Sequence, residues 1–208
     1  MTNCLKVHLG VMHSLLTNKH MFFSIPNLMT WTRIAAIPFI VFVFDAPLDS
    51  ETKNLVATVM FVLFALTDWL DGFLARKLNQ TSAFGAFLDP VADKFLVCAS
   101  LLVLVDLGRV DVIVALLIIG REIAISSLRE WMALIGASKS VAVNLLGKLK
   151  TTLQMVAIPF LLFDGVLWGW IHTGATGRVL IWAAAFMTIW SMLYYLKKAV
   201  PHIRAAIE

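Results

Sequence analysis

Apolar residues run along this chain in six long stretches, at roughly 27–46, 54–77, 83–105, 111–134, 142–163 and 177–197, each closed by a short polar interval. A bilayer crossing takes about 20 predominantly apolar residues, so each stretch predicts one transmembrane helix. The segments Ala46–Lys53 and Asp106–Asp111 read as short turns on one side of the membrane. Gly165–Gly177, which holds Trp168 and Trp170, reads as a longer loop on the same side with interfacial aromatics. Pro38 and Pro159 fall inside predicted crossings and predict kinks, which neighbouring helices tolerate by satisfying the freed carbonyls. Before the first crossing the pattern changes. Leu5, Leu9, Met12, Leu15 and Leu16 recur at helical spacing, with Lys6, His13 and Asn18 elsewhere around the wheel. That pattern predicts a short helix lying in the membrane interface, the alternative being an extension without a role. It lacks the uninterrupted apolar core of a signal peptide. The expected organisation is a juxtamembrane segment 1–24, one membrane domain 25–200 and a cytoplasmic tail 201–208.

Composition agrees with this pattern. Of 208 residues 60% are apolar and 14% charged, with mean hydropathy +0.87; a soluble domain is nearer half apolar and a quarter charged. The expected fold class is all-α, an integral membrane bundle of six transmembrane helices. If both termini share a side, that side receives fourteen Lys and Arg, from Lys6 and Arg33 to Lys198 and Arg204, and the other only Lys53, Arg109 and Arg178. Positive residues stay cytoplasmic, which puts both termini in the cytoplasm. The net charge of +4 therefore reads as topology and contact with anionic membrane lipids, with no nucleic-acid patterning. Cys4 and Cys98 are too far apart in the pattern to predict a disulfide, and the five histidines lack ligand spacing.

Four carboxylates stand out against this background: Asp68, Asp71, Asp89 and Asp93. Each costs roughly 2.5–3.5 kcal/mol near mid-bilayer, so four without partners would cost on the order of 10 kcal/mol or more. Spacings of three and four put each pair on one face of its helix. Counted from the polar turn Lys77–Ser82 at about 1.5 Å per residue, all four lie roughly 8–17 Å from the cytoplasmic end. Two pairs at matching depth on antiparallel helices can converge on one site. Clustered oxygen donors suit Mg2+ or Mn2+, and four are enough for two ions in a phosphoryl-transfer arrangement. Gly72 and Gly85 leave space for a ligand to approach backbone, though close helix packing explains them equally. Arg76 beside an acidic site suits a phosphate. Asn27, Thr30 and Arg33 recur every three residues on one flank of the first helix. Either they face the acids and help hold a charged substrate, or Arg33 reaches the headgroups while the others cap the helix.

The run Asp68-x2-Asp71-Gly72-x2-Ala75-Arg76-x8-Gly85-x3-Asp89-x3-Asp93 resembles the signature of the CDP-alcohol phosphotransferase family at every fixed position. Pro26-Asn27-x2-Thr30-x2-Arg33, the stretch from Arg121-Glu122 to Arg129-Glu130, and Gly147-Lys148-x-Lys150-Thr151-Thr152 extend the similarity over about residues 21–198. There it resembles the bacterial members that act on glycerol 3-phosphate. The resemblance implies a metal-dependent membrane enzyme that moves the phosphatidyl group of CDP-diacylglycerol to glycerol 3-phosphate and releases CMP. It further implies that Asp68, Asp71, Asp89 and Asp93 surround two Mg2+ or Mn2+ ions and that Asp93 is the general base. Asn27, Thr30, Gly72, Arg76, Ser82 and Gly85 would contact the CDP-lipid. A homodimer in the bacterial inner membrane, with the site cytoplasmic, is also implied. The residues alone do not choose between Asp89 and Asp93 as base.

Arg121, deep in the fourth helix, and Lys148 and Lys150, after the turn around Gly136–Ser140, could hold the acceptor's phosphate. The competing reading makes Arg121 a structural partner of Glu122 or of a core aspartate, and the lysines topology determinants. Arg129 is a weaker candidate for the same role, and Glu122 and Glu130 read as partners of these cations. Other phosphorylated acceptors, phosphatidylglycerol or inositol phosphate, would use the same chemistry; several cations near the cleft argue against serine. A cation transporter is the rival from another class. Against it stand the clustering of the acids near one surface and the absence of paired broken helices in the two halves.

Overall fold

The computed structural model describes residues 25–77, 83–136 and 145–207. Within these helices the description excludes the side chains of 25–27, 29, 68–77, 83–87, 145, 146, 148, 202 and 204–207. Six α-helices make up nearly all of the described chain: α1 Ile25–Phe42, α2 Ser50–Lys77, α3 Ala83–Asp106, α4 Val112–Leu134, α5 Leu145–Phe163 and α6 Thr173–Ile207. They overlap the six apolar stretches, with α1 ending at Phe42 rather than near 46 and α6 continuing helical through the expected tail to Ile207. The expected interfacial helix in residues 1–24 lies outside the described residues.

Helix ends follow local chemistry. Asp49 caps α2, its carboxylate accepting from the Thr52 amide and hydroxyl, each at 2.8 Å. The Thr52 backbone N–H does most to hold that carboxyl below its ordinary value of 3.8. Asp111 caps α4 by accepting from the Ile113 amide at 2.7 Å. Gly136, at φ 74°, ends α4 in the left-handed conformation that glycine adopts without penalty. The segment Gly165–Gly177 is more ordered than a loop. Strands β1 Val166–Leu167 and β2 Ile171–His172 pair antiparallel, and α6 starts at Thr173. Trp168 and Gly169 both take positive φ, the requirement of a tight hairpin turn, and this is why a run without an alternating strand pattern still makes a hairpin.

The helices pack in a closed ring: α1 between α2 and α3, α2 on α5, α5 along α6, α6 on α4, and α4 on α3. Direct contact between the described parts of α2 and α3 is sparse. The two acid-bearing helices are therefore bridged by α1 rather than packed along each other. Arg109, in the α3–α4 turn, ties that end of the bundle together. Its guanidinium donates to the Leu161 and Leu162 carbonyls and to Asn54, at 3.0, 2.9 and 2.9 Å, and pairs with Asp164 at 3.2 Å. Burial pulls that guanidinium below its ordinary value against the opposing pull of Asp164.

Polarity is inverted relative to a soluble bundle. Leu66, Leu102, Leu116, Val179, Phe186 and Leu193 point outward with more than half their surface exposed, while Arg33, Arg121, Lys150, Gln154, Thr188 and Ser191 are buried. So extensive an apolar exterior fits a lipid surround. An apolar core around Ile40, Phe61, Leu104, Ile118, Ile158 and Leu161 fills the half near Arg109. A smaller cluster of Ile125, Met132, Tyr195 and Ala199 joins α4 to α6 in the other half. Among the described residues one segment, Thr173–Pro201, is long and apolar enough alone to cross a membrane, and Leu149–Phe163 is a shorter apolar run. On α3 and α4 charge dilutes the apolar run, through Asp89, Asp93 and Lys94 on α3 and Arg121, Glu122 and Arg129 on α4.

Candidate active site

Two polar clusters occupy the half of the bundle away from Arg109. The first joins α1 to α3. Thr30, buried on α1, donates its hydroxyl to an Asp89 carboxylate oxygen at 2.6 Å. One turn on, Arg33 pairs with Asp93 at 3.2 Å; its side chain is 1% exposed, that of Asp93 39%. Arg33 thus faces the acids and does not reach for headgroups. Spacings of three on α1 and four on α3 bring both pairs into register. Each acid is anchored through an oxygen while staying partly exposed.

Asp89 and Asp93 offer hard oxygen donors on one face of α3, a donor chemistry that fits Mg2+ or Mn2+. Asp68, Asp71, Gly72 and Arg76 lie on the last turns of α2, Gly85 on the first turn of α3, Asn27 on the first turn of α1 and Lys148 on α5. Their side chains, and Ser82 entirely, are outside the described residues. Among the described residues no three metal-binding side chains gather, since half of the expected set falls in that stretch.

The second cluster is cationic. Glu122 on α4 accepts from the fully buried Lys150 of α5 and from Arg121 at 3.2 Å. Arg121 also donates to Ser191 of α6 at 3.3 Å and lies over the Tyr195 ring at 6.0 Å. Arg129 stacks on the other reach of the same ring at 5.4 Å. Two cations thus contact one carboxylate, and a third shares the Tyr195 ring with Arg121. The Nε atoms of Arg121 and Arg129, Gln154 Nε2 and Thr188 Oγ1 are buried without a hydrogen-bond partner among the described residues. A structural ion pair alone would leave neither surplus charge nor idle donors; an anion would use both. Arg121 and Lys150 are brought together as the sequence predicted, and Glu122 is their partner. Gln154, Thr188, Ser191 and Tyr195 were not anticipated, although an amide and hydroxyls inside apolar runs are a readable signal. A groove of about 540 Å³ between α1 and α3, lined by residues such as Ile37, Phe42, Phe95 and Leu102, lies toward the other end of these helices. Asp45 and Asp106 also line it.

Residues 23–190 match the CDP-alcohol phosphatidyltransferase family. The chain belongs to that family. It is also 46% identical, over 179 residues, to proteins of Salmonella typhimurium strain LT2 and Escherichia coli strain K12, each named CDP-diacylglycerol–glycerol-3-phosphate 3-phosphatidyltransferase. A relative of the same name from Shigella flexneri serotype 5b is equally similar. Each alignment covers 85% of this chain and 95% of the relative. The match to the family takes in the first polar cluster and most of the second, up to Thr188, with Ser191 and Tyr195 just beyond it.

Proposed function

We propose that the chain transfers the phosphatidyl group of CDP-diacylglycerol to glycerol 3-phosphate, giving phosphatidylglycerophosphate and CMP. The observation that carries the choice of acceptor is the buried surplus of positive charge. Arg121 and Lys150 share the carboxylate of Glu122, Arg129 adds a third cation on the Tyr195 ring beside Arg121, and a phosphate dianion would balance the excess. The name of the relatives in Escherichia coli and Salmonella supports the same acceptor.

The two clusters divide the work. Asp68, Asp71, Asp89 and Asp93 are assigned to hold Mg2+ or Mn2+, two ions, which when bound supply charge neutralisation at the diphosphate and at the leaving oxygen. Thr30 anchors one Asp89 oxygen and Arg33 one Asp93 oxygen, so both carboxylates are held in place before substrate arrives. Asp93 accepts the proton of the acceptor's 1-hydroxyl. The resulting oxygen attacks the lipid-side phosphorus, the bond from that phosphorus to CMP breaks, and CMP leaves with the electron pair. Asn27, Gly72, Arg76, Ser82 and Gly85 hold the donor's CDP end. Arg121, Lys148 and Lys150 hold the acceptor phosphate beside the acids.

In this reading the chain is a homodimeric six-crossing protein of the bacterial inner membrane, its termini and acids toward the cytoplasm. The apolar exterior and the distribution of Lys and Arg support that placement. A membrane site keeps the donor's acyl chains in the bilayer throughout the reaction. The test is CMP release by the purified protein in lipid, with CDP-diacylglycerol, Mg2+ and each acceptor separately. Release with glycerol 3-phosphate, lost on chelation, is expected. Release only with phosphatidylglycerol, inositol phosphate or serine would refute the acceptor, and no release with any would refute the transferase.

A further inference from the structure

Two of the idle polar atoms are neutral and stay unanswered by a phosphate. Gln154, 3% exposed, follows Lys150 by one turn on the same face of α5, and its Nε2 has no partner among the described residues. Thr188, fully buried, precedes Ser191 by one turn on α6, and its Oγ1 has none either. Because α5 and α6 run antiparallel through a short hairpin, both steps lead the same way, past the charged residues toward the apolar core. Gln154 thus lies one turn deeper than Lys150, and Thr188 one turn deeper than Ser191.

Thr188 is unusual for its position. A hydroxyl inside a helix ordinarily donates to the carbonyl four residues back, as those of Thr58, Thr67, Ser100 and Ser126 do here. Thr188 makes no such bond, and its own carbonyl is taken by Ser191 at 3.0 Å. Buried polar groups are paired almost without exception, so an idle amide N–H and an idle hydroxyl on facing helices call for a ligand group. That group must accept from Gln154 and engage the Thr188 oxygen without bringing charge, and an alcohol does both.

Glycerol 3-phosphate has one hydroxyl that neither reacts nor carries phosphate. We infer that Gln154 and Thr188 bind the middle hydroxyl of the acceptor and make the enzyme selective for polyol phosphates that carry a hydroxyl next to the reacting one. This rests on the reading of the cationic cluster as the acceptor's site. A site that hydrogen-bonds a substrate hydroxyl rejects the analogue lacking it far more strongly than an apolar pocket would.

The test compares glycerol 3-phosphate with 1,3-propanediol monophosphate, which keeps the phosphate and a primary hydroxyl but lacks the middle one. CMP release is followed with the full chain in lipid. The unaltered enzyme should prefer glycerol 3-phosphate by on the order of 100-fold or more in kcat/KM. Gln154→Leu and Thr188→Val should each cut that preference about tenfold, through glycerol 3-phosphate alone. The ratio is taken on one protein at a time, so a reduced folded fraction cancels. An unaltered enzyme that uses both acceptors equally, or variants that lose both acceptors in proportion, would overturn the assignment. Absence of CMP release from the unaltered chain with glycerol 3-phosphate would instead overturn the acceptor reading on which it rests.

Discussion

Glu122→Gln separates an anion site from a structural ion pair. The amide keeps the size of the side chain and can still accept from Lys150, so the perturbation is the loss of one negative charge. That charge is shared by Lys150, fully buried, and Arg121, 7% exposed, with Arg129 on the same tyrosine ring. Removing one partner from a buried pair costs about 3–5 kcal/mol because the other charge is left uncompensated. Glu122 keeps 20% of its side chain exposed, so water offsets part of the loss and the lower end, about 3 kcal/mol, applies. For a chain of this size that lowers the midpoint of thermal unfolding by roughly 6–12 °C. The same change works in the opposite direction on an anionic ligand, which now meets three cations and no carboxylate. Ligand binding stabilises by mass action, so saturating glycerol 3-phosphate should return most of the lost stability to the variant while raising the unaltered protein less. Thermal unfolding in detergent micelles, with and without glycerol 3-phosphate, reads both effects. A variant that melts with the unaltered protein, or that gains no more from the ligand, would refute the account of the cluster as an unbalanced anion site.

Asp93→Asn should abolish CMP release while CDP-diacylglycerol binding and helical content persist, and a chelator should abolish release from the unaltered chain; substantial residual turnover in either case would remove Asp93 or the metal from the mechanism. Arg109→Met strips Asn54, two α5 carbonyls and Asp164 of their shared donor and should cost about 3 kcal/mol of stability with little change in KM; an unchanged unfolding midpoint would show that this end of the bundle is held by apolar packing alone. The Asp49 carboxyl titrates below its ordinary 3.8 in the folded chain, chiefly through the Thr52 amide. Its stabilising effect is therefore complete above that value and is lost as the pH falls through the lowered one. Asp49→Asn should flatten the acid limb of a stability-against-pH curve, and an unchanged slope would mean that the cap does not contribute.

The six helices were legible because each apolar run is long enough for one, and a helix is the structure that satisfies the backbone of such a run within one segment. The hairpin at Val166–His172 was not legible, because it depends on Trp168 taking a positive φ that its residue type disfavours. Nor was the seating of α1 between α2 and α3, since helices joined by a short polar turn are expected to be neighbours and nothing in the hydrophobic pattern ranks the competing contacts.

The acids and the cations were legible for a reason that also explains what was missed. A charge buried among apolar helices is so costly that its presence alone marks a site, and Asp89, Asp93, Arg121 and Lys150 could each be chosen on that ground. A threonine or glutamine in the same helix costs far less, and many such hydroxyls bond their own backbone, as Thr58 and Ser100 do. Only three-dimensional placement distinguishes Thr188, whose hydroxyl has no such bond, from those that do. The information that marks a buried charge is thus present in one dimension, whereas the information that marks an idle neutral group appears when its partners are counted. Selectivity for the acceptor should accordingly depend on residues that a motif search passes over, with the motif itself reporting the chemistry that all members of the family share.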